Sequence, residues 1–273
     1  MPFHCRSFLL LTLPVILAGC LIEESLIFHP ASRIERTPGD VGLVFDDQYF
    51  SAADGVRLNG WFVPAKGASL TLLWFHGNAG NIGHRVDNIR LVHDKVNINI
   101  FIFDYRGYGR SGGTISEEGT YRDGAAAVDF LRNRYDVGAK QLILFGRSLG
   151  AAPALEAAAI VPPLAVILES PFASIRDMAR EMFPFLPIGA LLRTRYDNLE
   201  KVRKIKSPLL VLHGDRDEVV PFAQGKKVFD AAPEPKSFYT IVGAGHNNTY
   251  IVGGERYFLT LKEHIERAAT ARP

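Results

Sequence analysis

Cysteine is scarce in this chain and confined to its amino terminus. The only cysteines among 273 residues are Cys5 and Cys20, too few for the multi-bridge framework of a small secreted domain. An excess of one charge is also lacking, with 31 basic and 29 acidic side chains, so nothing favours a nucleic-acid partner. HExxH and clustered His/Cys patterns are absent. The sequence therefore predicts no metal site and no other cofactor.

The amino-terminal segment differs in composition from the rest. Phe8 to Ala18 is an apolar run that is too short to span a membrane and suits a signal peptide. Leu17-Ala18-Gly19-Cys20 resembles a bacterial lipobox. That resemblance implies cleavage before Cys20, lipidation of its thiol and a mature domain of residues 20–273. An ordinary signal peptide or an uncleaved anchor is the alternative.

The lipobox also implies a location. Leu21, rather than aspartate, follows the cysteine, which resembles outer-membrane rather than inner-membrane sorting. We therefore expect a protein anchored by lipid in a bacterial cell envelope, on the periplasmic face of the outer membrane.

Apolar, β-prone runs alternate with helix-favouring runs along the remaining chain. This alternation predicts an α/β fold, with a mostly parallel central sheet, helices on both faces and an antiparallel edge from an early hairpin. The predicted strands are 43–51, 56–63, 71–75, 98–103, 141–145, 164–168, 208–212 and 237–242. The predicted helices are 83–95, 117–135, 151–159, 222–231 and 254–268.

One segment interrupts this alternation. Pro171 to Lys206 is longer than a simple crossover and rich in Phe, Met and Leu. We interpret it as a short helical lid, because insertions at the carboxyl ends of parallel strands lie near the binding crevice. A pair of amphipathic helices packed on the sheet is the alternative.

The clearest chemical signal is a serine in Gly146-Arg147-Ser148-Leu149-Gly150. An apolar strand precedes it and an alanine-rich helix follows at once, which is the strand–turn–helix context of a nucleophile elbow. A second match, centred on Ser111, follows the polar stretch DYRGYG and precedes more loop. We interpret Ser111 as a loop residue. The G-x-G-x-x-G spelled by residues 107–112 does not open a helix after a strand, so we reject a nucleotide site.

A serine nucleophile needs a histidine base and a carboxylate that orients it. Of the three histidines after Ser148, His246 lies in a glycine-flanked loop before the last helix and is the predicted base, whereas His213 and His264 suit structural roles. Asp217 is the predicted acid. Asp215 and Glu169 remain alternatives for that acid.

An oxyanion hole requires backbone N–H donors. Leu149, after the nucleophile, supplies one. The loop after the strand ending at Phe75 should supply the other, from Asn78 or, as second choice, Ala79. His76 is interpreted as structural, because no partner in the sequence suggests proton transfer.

The ordered motifs FHGNAGNIGHR, FDYRGYGRSGG, FGRSLGAAPA, LESPF, LHGDRDEVVP and GAGHN resemble the Bem46/ABHD13/ABHD17-like branch of the α/β hydrolases. The resemblance implies an α/β-hydrolase fold with nucleophile Ser148, acid Asp217 and base His246. Some eukaryotic members are depalmitoylases, but this chain lacks their cysteine-rich amino terminus, so that substrate does not carry over.

The predicted function is a serine hydrolase acting on an ester or thioester, with a small or lipid-like acyl substrate. A peptidase or amidase is one alternative. The other is a non-catalytic envelope lipoprotein that uses the fold to bind.

Overall fold

The computed structural model describes residues 23–24, 27–186, 189 and 192–271. The predicted signal peptide and Cys20 therefore lie outside the described residues. An eight-stranded sheet organises the chain, in the order β1-β2-β4-β3-β5-β6-β7-β8. Its strands are Asp46–Ser51 (β1), Arg57–Val63 (β2), Thr71–Phe75 (β3), Asn99–Asp104 (β4), Leu142–Arg147 (β5), Ala165–Glu169 (β6), Leu209–Gly214 (β7) and Lys236–Ile241 (β8).

The sheet is parallel except at one edge. Strands β3 to β8 pair in parallel, whereas β1 and β2 form a hairpin and β2 runs antiparallel to β4. Parallel neighbours require crossovers, and helices supply them. The α-helices between and after the strands, within the described residues, are Val86–Val96 (α1), Glu117–Tyr135 (α2), Ala151–Ile160 (α3), Ile175–Met182 (α4), Asn198–Val202 (α5), Phe222–Ala231 (α6) and Thr249–Thr270 (α7).

Both faces of the sheet are covered. Along β3, Leu72 and Trp74 enter one apolar cluster and Leu73 and Phe75 enter the other, because successive strand residues point to opposite faces. Helices α1 and α7 cover the first face, and α2, α3 and α6 cover the second. Every residue of β3 is buried. The predicted fold class is confirmed.

Local signals explain where helix α2 begins and ends. Ser116 is the N-cap, and its side chain accepts a hydrogen bond from the Gly119 N–H, while Glu117 and Glu118 complement the helix dipole. Asp136 ends the helix in a left-handed conformation, with φ 54°. The observed bounds are those that the sequence predicts.

Helix α7 consists of two helical stretches. It begins at Thr249, before the predicted start at Gly254, and runs to Thr270. Gly254 itself has non-helical dihedrals (φ 51°, ψ −142°), so the predicted start coincides with the break between the two stretches. The short stretch 249–253 was not predicted.

The Pro171–Lys206 segment carries α4 and α5 and lies at the carboxyl edge of the sheet. The Asp177 carboxylate in α4 accepts a hydrogen bond from Lys227 of α6. Glu117 at the start of α2 accepts hydrogen bonds from the main-chain N–H groups of Arg195 and Tyr196. Both α2 and α6 begin at that edge. The segment is therefore helical and correctly located, and a lid role stays a prediction.

Candidate active site

The strand–turn–helix unit around Ser148 has the geometry of a sharp elbow. Ser148 follows β5 directly, has φ 53°, and leads through one 3₁₀ turn into α3. A Cβ at Gly146 would lie 2.7 Å from the Gly150 carbonyl oxygen, and one at Gly150 would lie 2.1 Å from that of Phe75. Side chains cannot fit at either position. A positive φ at a serine is strained and marks a functional candidate.

Ser111 lies in a different environment. It sits in the loop after β4, where its hydroxyl donates to the Asp104 carbonyl (2.6 Å) and accepts from the Asn59 N–H (2.9 Å). Both bonds hold this loop to the sheet. Gly109, in the same loop, has φ 50° and packs on the Asp104 carboxylate, so the G-x-G-x-x-G stretch is a turn built against a buried acid.

His246 and Asp217 are in direct contact. Nδ1 of His246 lies 2.8 Å and 3.1 Å from the two carboxylate oxygens of Asp217. A carboxylate only accepts, so Nδ1 carries the proton and Nε2 keeps its lone pair. The His246 main-chain N–H donates to Glu218 (3.1 Å), which fixes the loop. This imidazole is therefore held in the tautomer that a general base requires.

Asp217 is built to remain ionised. Burial raises the pKa of Asp217, but hydrogen bonds from His213, His246 and the Val220 N–H outweigh it and hold that pKa well below its usual range. Oδ1 accepts the N–H groups of Val219 (3.0 Å) and Val220 (2.7 Å).

His213 supports Asp217 from the other side. Its Nε2 lies 3.4 Å from Asp217 Oδ2 and 2.8 Å from the Val220 carbonyl oxygen. Sequence reasoning assigned His213 to the loop but missed its contact with the acid. The i, i+4 spacing of the two residues across the loop was the available signal.

The other candidate acids have different partners. Asp215 accepts the N–H of Gly243 (2.6 Å) and so shapes a turn. Glu169 is fully buried and forms an ion pair with Arg147 (2.9 Å). Its carboxylate also accepts hydrogen bonds from the hydroxyl groups of Thr249 and Tyr257. Among the three, only Asp217 contacts the His246 ring in the described part of the chain.

Arg147 links the serine turn to the histidine loop, a role that sequence reasoning missed. Its Nη2 donates to the main-chain oxygen of His246 (2.6 Å) and to Asn247 Oδ1 (3.2 Å), while Nε donates to Glu169. Because Ser148 follows Arg147, the hydrogen bonds from Arg147 to His246 and Asn247 connect the serine turn to the histidine loop. Arg147 and Glu169 are register partners in β5 and β6. Both lie just beyond the predicted ends of these strands, and the sequence does not give the strand order, so the pair could not be predicted.

The loop after β3 lies against the elbow. A Cβ at Gly77 would be 3.6 Å from Ser148 Cβ. No hydrogen bond from the Asn78 main-chain N–H is formed within the residues described. Leu149, the other predicted donor, is buried in the turn that opens α3. A helix amino terminus favours negative charge.

His76 is fully buried beside an acid that the sequence did not reveal. Its Nε2 lies 3.5 Å from Asp104 Oδ1 but has no hydrogen-bond partner among the described residues. Nδ1 contacts the Gly77 carbonyl oxygen (2.7 Å). This proximity could not be read from the sequence, because Asp104 ends β4, the neighbour of β3, and the sequence does not give the strand order.

His264 lies far from this constellation. It belongs to α7, and its ring shares a surface cavity with Pro208, Leu209 and Pro235 at the amino edge of the sheet. Burial lowers the pKa of His264 to about 4. It is therefore a neutral core histidine near pH 7.

The described residues show neither a metal cluster nor a membrane-spanning helix. Across residues 23–24, 27–186, 189 and 192–271, there is no group of three His, Cys, Asp or Glu residues arranged to hold a metal ion. Nor does any helix in that part of the chain have the length and apolar character needed to cross a membrane.

Known proteins resemble this chain in sequence. A family model described as the alpha/beta hydrolase fold matches residues 71–190. The alpha/beta hydrolase domain-containing protein WAV2 of Arabidopsis thaliana is 32% identical, over 93% of this chain and 92% of that protein. Alpha/beta hydrolase domain-containing protein 17B of Xenopus tropicalis is 36% identical, over 77% of this chain and 72% of that protein.

Solved structures share the fold. An esterase of Pyrococcus furiosus superposes with a TM-score of 0.73, covering 88% of this chain and 98% of its own, at 23% identity. A likeness at that identity concerns architecture, not substrate.

Proposed function

This chain belongs to the α/β-hydrolase family, and on that premise we propose that it is a serine hydrolase that cleaves carboxylic esters or thioesters through an acyl-enzyme on Ser148. One observation carries the proposal, namely the pair of contacts at 2.8 Å and 3.1 Å from His246 Nδ1 to the Asp217 carboxylate. A histidine held in this way has a free Nε2, and Arg147 joins its loop to the serine turn.

The chemistry follows from these roles. His246 Nε2 takes the Ser148 hydroxyl proton while Oγ forms a bond to the acyl carbon. The carbonyl π electrons move onto oxygen, and their return expels the alcohol or thiol, which receives the proton from His246. Water then repeats the sequence and releases the acid. Asp217 stays ionised throughout and stabilises the imidazolium.

Two N–H groups serve the developing oxyanion. Asn78 and Leu149 are the proposed donors, and the amino end of α3 adds its dipole. The unbonded Asn78 N–H within the described residues supports this role. Ala79 remains the second choice for the first donor.

The proposal includes an anchored location. Residues 1–19 act as a lipoprotein signal peptide, residues 20–273 form the hydrolase, and a lipidated Cys20 holds it at the periplasmic face of a bacterial outer membrane. The chain then represents a lipoprotein form of the Bem46/ABHD13/ABHD17-like branch. Apolar side chains exposed at the end of α4 support a lipid-like acyl substrate, namely Met182, Phe183, Phe185 and Leu186.

The nucleophile is tested by covalent labelling. Ser148→Ala should abolish reaction with a fluorophosphonate and lower turnover by several orders of magnitude, because the attacking atom is gone. Ser111→Ala is the matched control from the second G-x-S-x-G, and it should keep most activity. Mass spectrometry of the labelled peptide and ester hydrolysis provide the measurements. If Ser111→Ala abolished labelling and Ser148→Ala did not, the assignment of Ser148 as the nucleophile would be wrong.

A substrate panel tests the bond class. The purified protein without its signal peptide is assayed on p-nitrophenyl esters from acetate to palmitate, an acyl thioester and a peptide. The proposal expects ester or thioester turnover well above peptide turnover. Faster peptide cleavage would indicate a peptidase, and no turnover with intact folding would indicate a binding protein.

A further inference from the structure

An amino-terminal strap, residues 27–31, is paired with the loop that carries Asn78. Pro30 and Gly80 form a parallel bridge, in which the Gly80 N–H donates to the His29 oxygen and the Ala31 N–H donates to the Gly80 oxygen, both at 3.0 Å. The strap thus adds a short strand-like edge to a catalytic loop far away in sequence.

The Asn78 side chain is the centre of this contact. Nδ2 donates to the Ile27 carbonyl oxygen, and Oδ1 accepts the His29 N–H (3.2 Å) and the Tyr108 hydroxyl (2.9 Å). All three bonds involve the side chain, which leaves the Asn78 main-chain N–H without a partner among the residues described. The strap and Tyr108 together hold the amide group of this side chain.

The strap is itself fastened to the Pro171–Lys206 segment. Phe28 is buried, and its ring packs edge-on against Tyr196 at 6.2 Å between centroids. Upstream, the Glu23 carboxylate accepts the N–H groups of Arg193 (3.0 Å) and Thr194 (2.7 Å). The strap and the upstream Glu23 therefore contact the Pro171–Lys206 segment, while the strap also contacts the loop that carries Asn78.

We propose that the strap fixes the direction of the Asn78 N–H, so that the Asn78 side chain and Phe28 are positioning residues for transition-state stabilisation. This inference rests on the proposed function. Glycines flank the loop, and Gly80 has φ 83°, so the loop has little stiffness of its own. An oxyanion donor acts only within about 0.5 Å of its productive geometry.

Three variants separate positioning from stability. Asn78→Ala keeps the backbone N–H but loses all three side-chain bonds. Phe28→Ala loosens the strap without touching the loop. Asn59→Ala is the matched control, because that buried amide bonds Asp47 and Gln48 in the β1–β2 hairpin and has no strap contact.

The first readout is kinetic. Asn78→Ala and Phe28→Ala should lower kcat by about tenfold to a hundredfold with KM within about threefold, since complete loss of an oxyanion donor costs about 10²–10³. Affinity for a trifluoromethyl ketone analogue should fall by the same factor as kcat/KM. Asn59→Ala should lower the melting temperature but leave kcat unchanged.

The second readout does not depend on activity. Hydrogen–deuterium exchange of peptides covering residues 76–81 should accelerate in Phe28→Ala and not in Asn59→Ala. Unchanged exchange and unchanged kcat in a folded Phe28→Ala would overturn the strap proposal. Fluorophosphonate labelling of the wild type tests the proposed function alone, so the two can fail separately.

Discussion

At the residue scale, the choice among three acids illustrates what sequence order can and cannot decide. The chain order Ser, acid, His favoured Asp217, but Asp215 and Glu169 satisfied the same order. Contacts separate them, because Asp215 bonds the Gly243 N–H and Glu169 neutralises Arg147. Neither contact could be predicted without knowing which loops meet. The Asp217–His246 contact carries the proposed assignment.

The acid assignment gives a prediction. Asp217→Asn should lower kcat by about 10³–10⁴-fold, because the amide no longer enforces the Nδ1–H tautomer of His246. Asp215→Asn keeps an acceptor for the Gly243 N–H and should lose less than about tenfold. Steady-state ester hydrolysis measures both, with circular dichroism to verify folding. A larger loss for Asp215→Asn would refute the assignment.

Glu169→Gln separates the acid role from the structural one. The substitution leaves Arg147 without its full charge partner in a buried site, so it should reduce the free energy of unfolding by about 1–3 kcal/mol. Chemical denaturation provides that value. Glu169→Gln should retain far more activity than Asp217→Asn, because Glu169 does not contact the His246 ring. An equal loss of kcat in the folded variant would contradict this difference.

At the element scale, the elbow depends on glycines as much as on serine. Gly150→Ala should reduce stability by about 1–3 kcal/mol and remove most activity, because its Cβ would lie 2.1 Å from the Phe75 carbonyl oxygen. Gly112→Ala is the matched control from the other serine motif, since its Cβ would lie 3.6 Å from the Arg57 oxygen. Thermal melting and ester hydrolysis measure both. Comparable melting temperatures for the two variants would contradict the steric argument.

The bounds of helices and strands were predictable where the local sequence pattern agrees with the tertiary packing. Strand β3 and helices α2 and α6 have their predicted bounds, because apolar runs and caps there coincide with buried positions. The short stretch of α7 before Gly254 was not predicted, because the Gly253-Gly254 pair favours a helix boundary. The non-helical dihedrals of Gly254 show that the helix is broken there. Strands β5 and β7 extend beyond their predicted ends to Arg147 and Gly214. The added residues include Arg147 and His213, which contact His246 and Asp217.

At the scale of the whole molecule, strand order assembles the site. The elbow follows β5, the acid follows β7 and the histidine follows β8, and these loops meet at the carboxyl edge of one sheet. The sequence predicted the parallel sheet but not its order, so the His76–Asp104 and Arg147–Glu169 pairs stayed hidden. Long-range pairs of this kind arise from topology, not from periodicity.

The proposed anchor is tested on the intact protein in cells and vesicles. Cys20→Ala should move the protein to the soluble fraction, or leave an uncleaved precursor, because the acyl chains that retain it are missing. Turnover of a small soluble ester should be unchanged. Turnover of an ester presented in vesicles should fall. Equal vesicle rates despite confirmed release would show that the anchor only localises the enzyme.

The strap has a practical consequence for how this protein is produced and immobilised. Its contacts with Asn78 mean that shortened recombinant versions should start no later than Glu23, and that bulky fusion partners belong at the other terminus. That terminus is well suited, since α7 ends near Pro208 and Pro235, where Arg267, Ala268 and Ala271 line a cavity at the amino edge of the sheet. A tag, dye or solid support attached there leaves the catalytic edge facing solution.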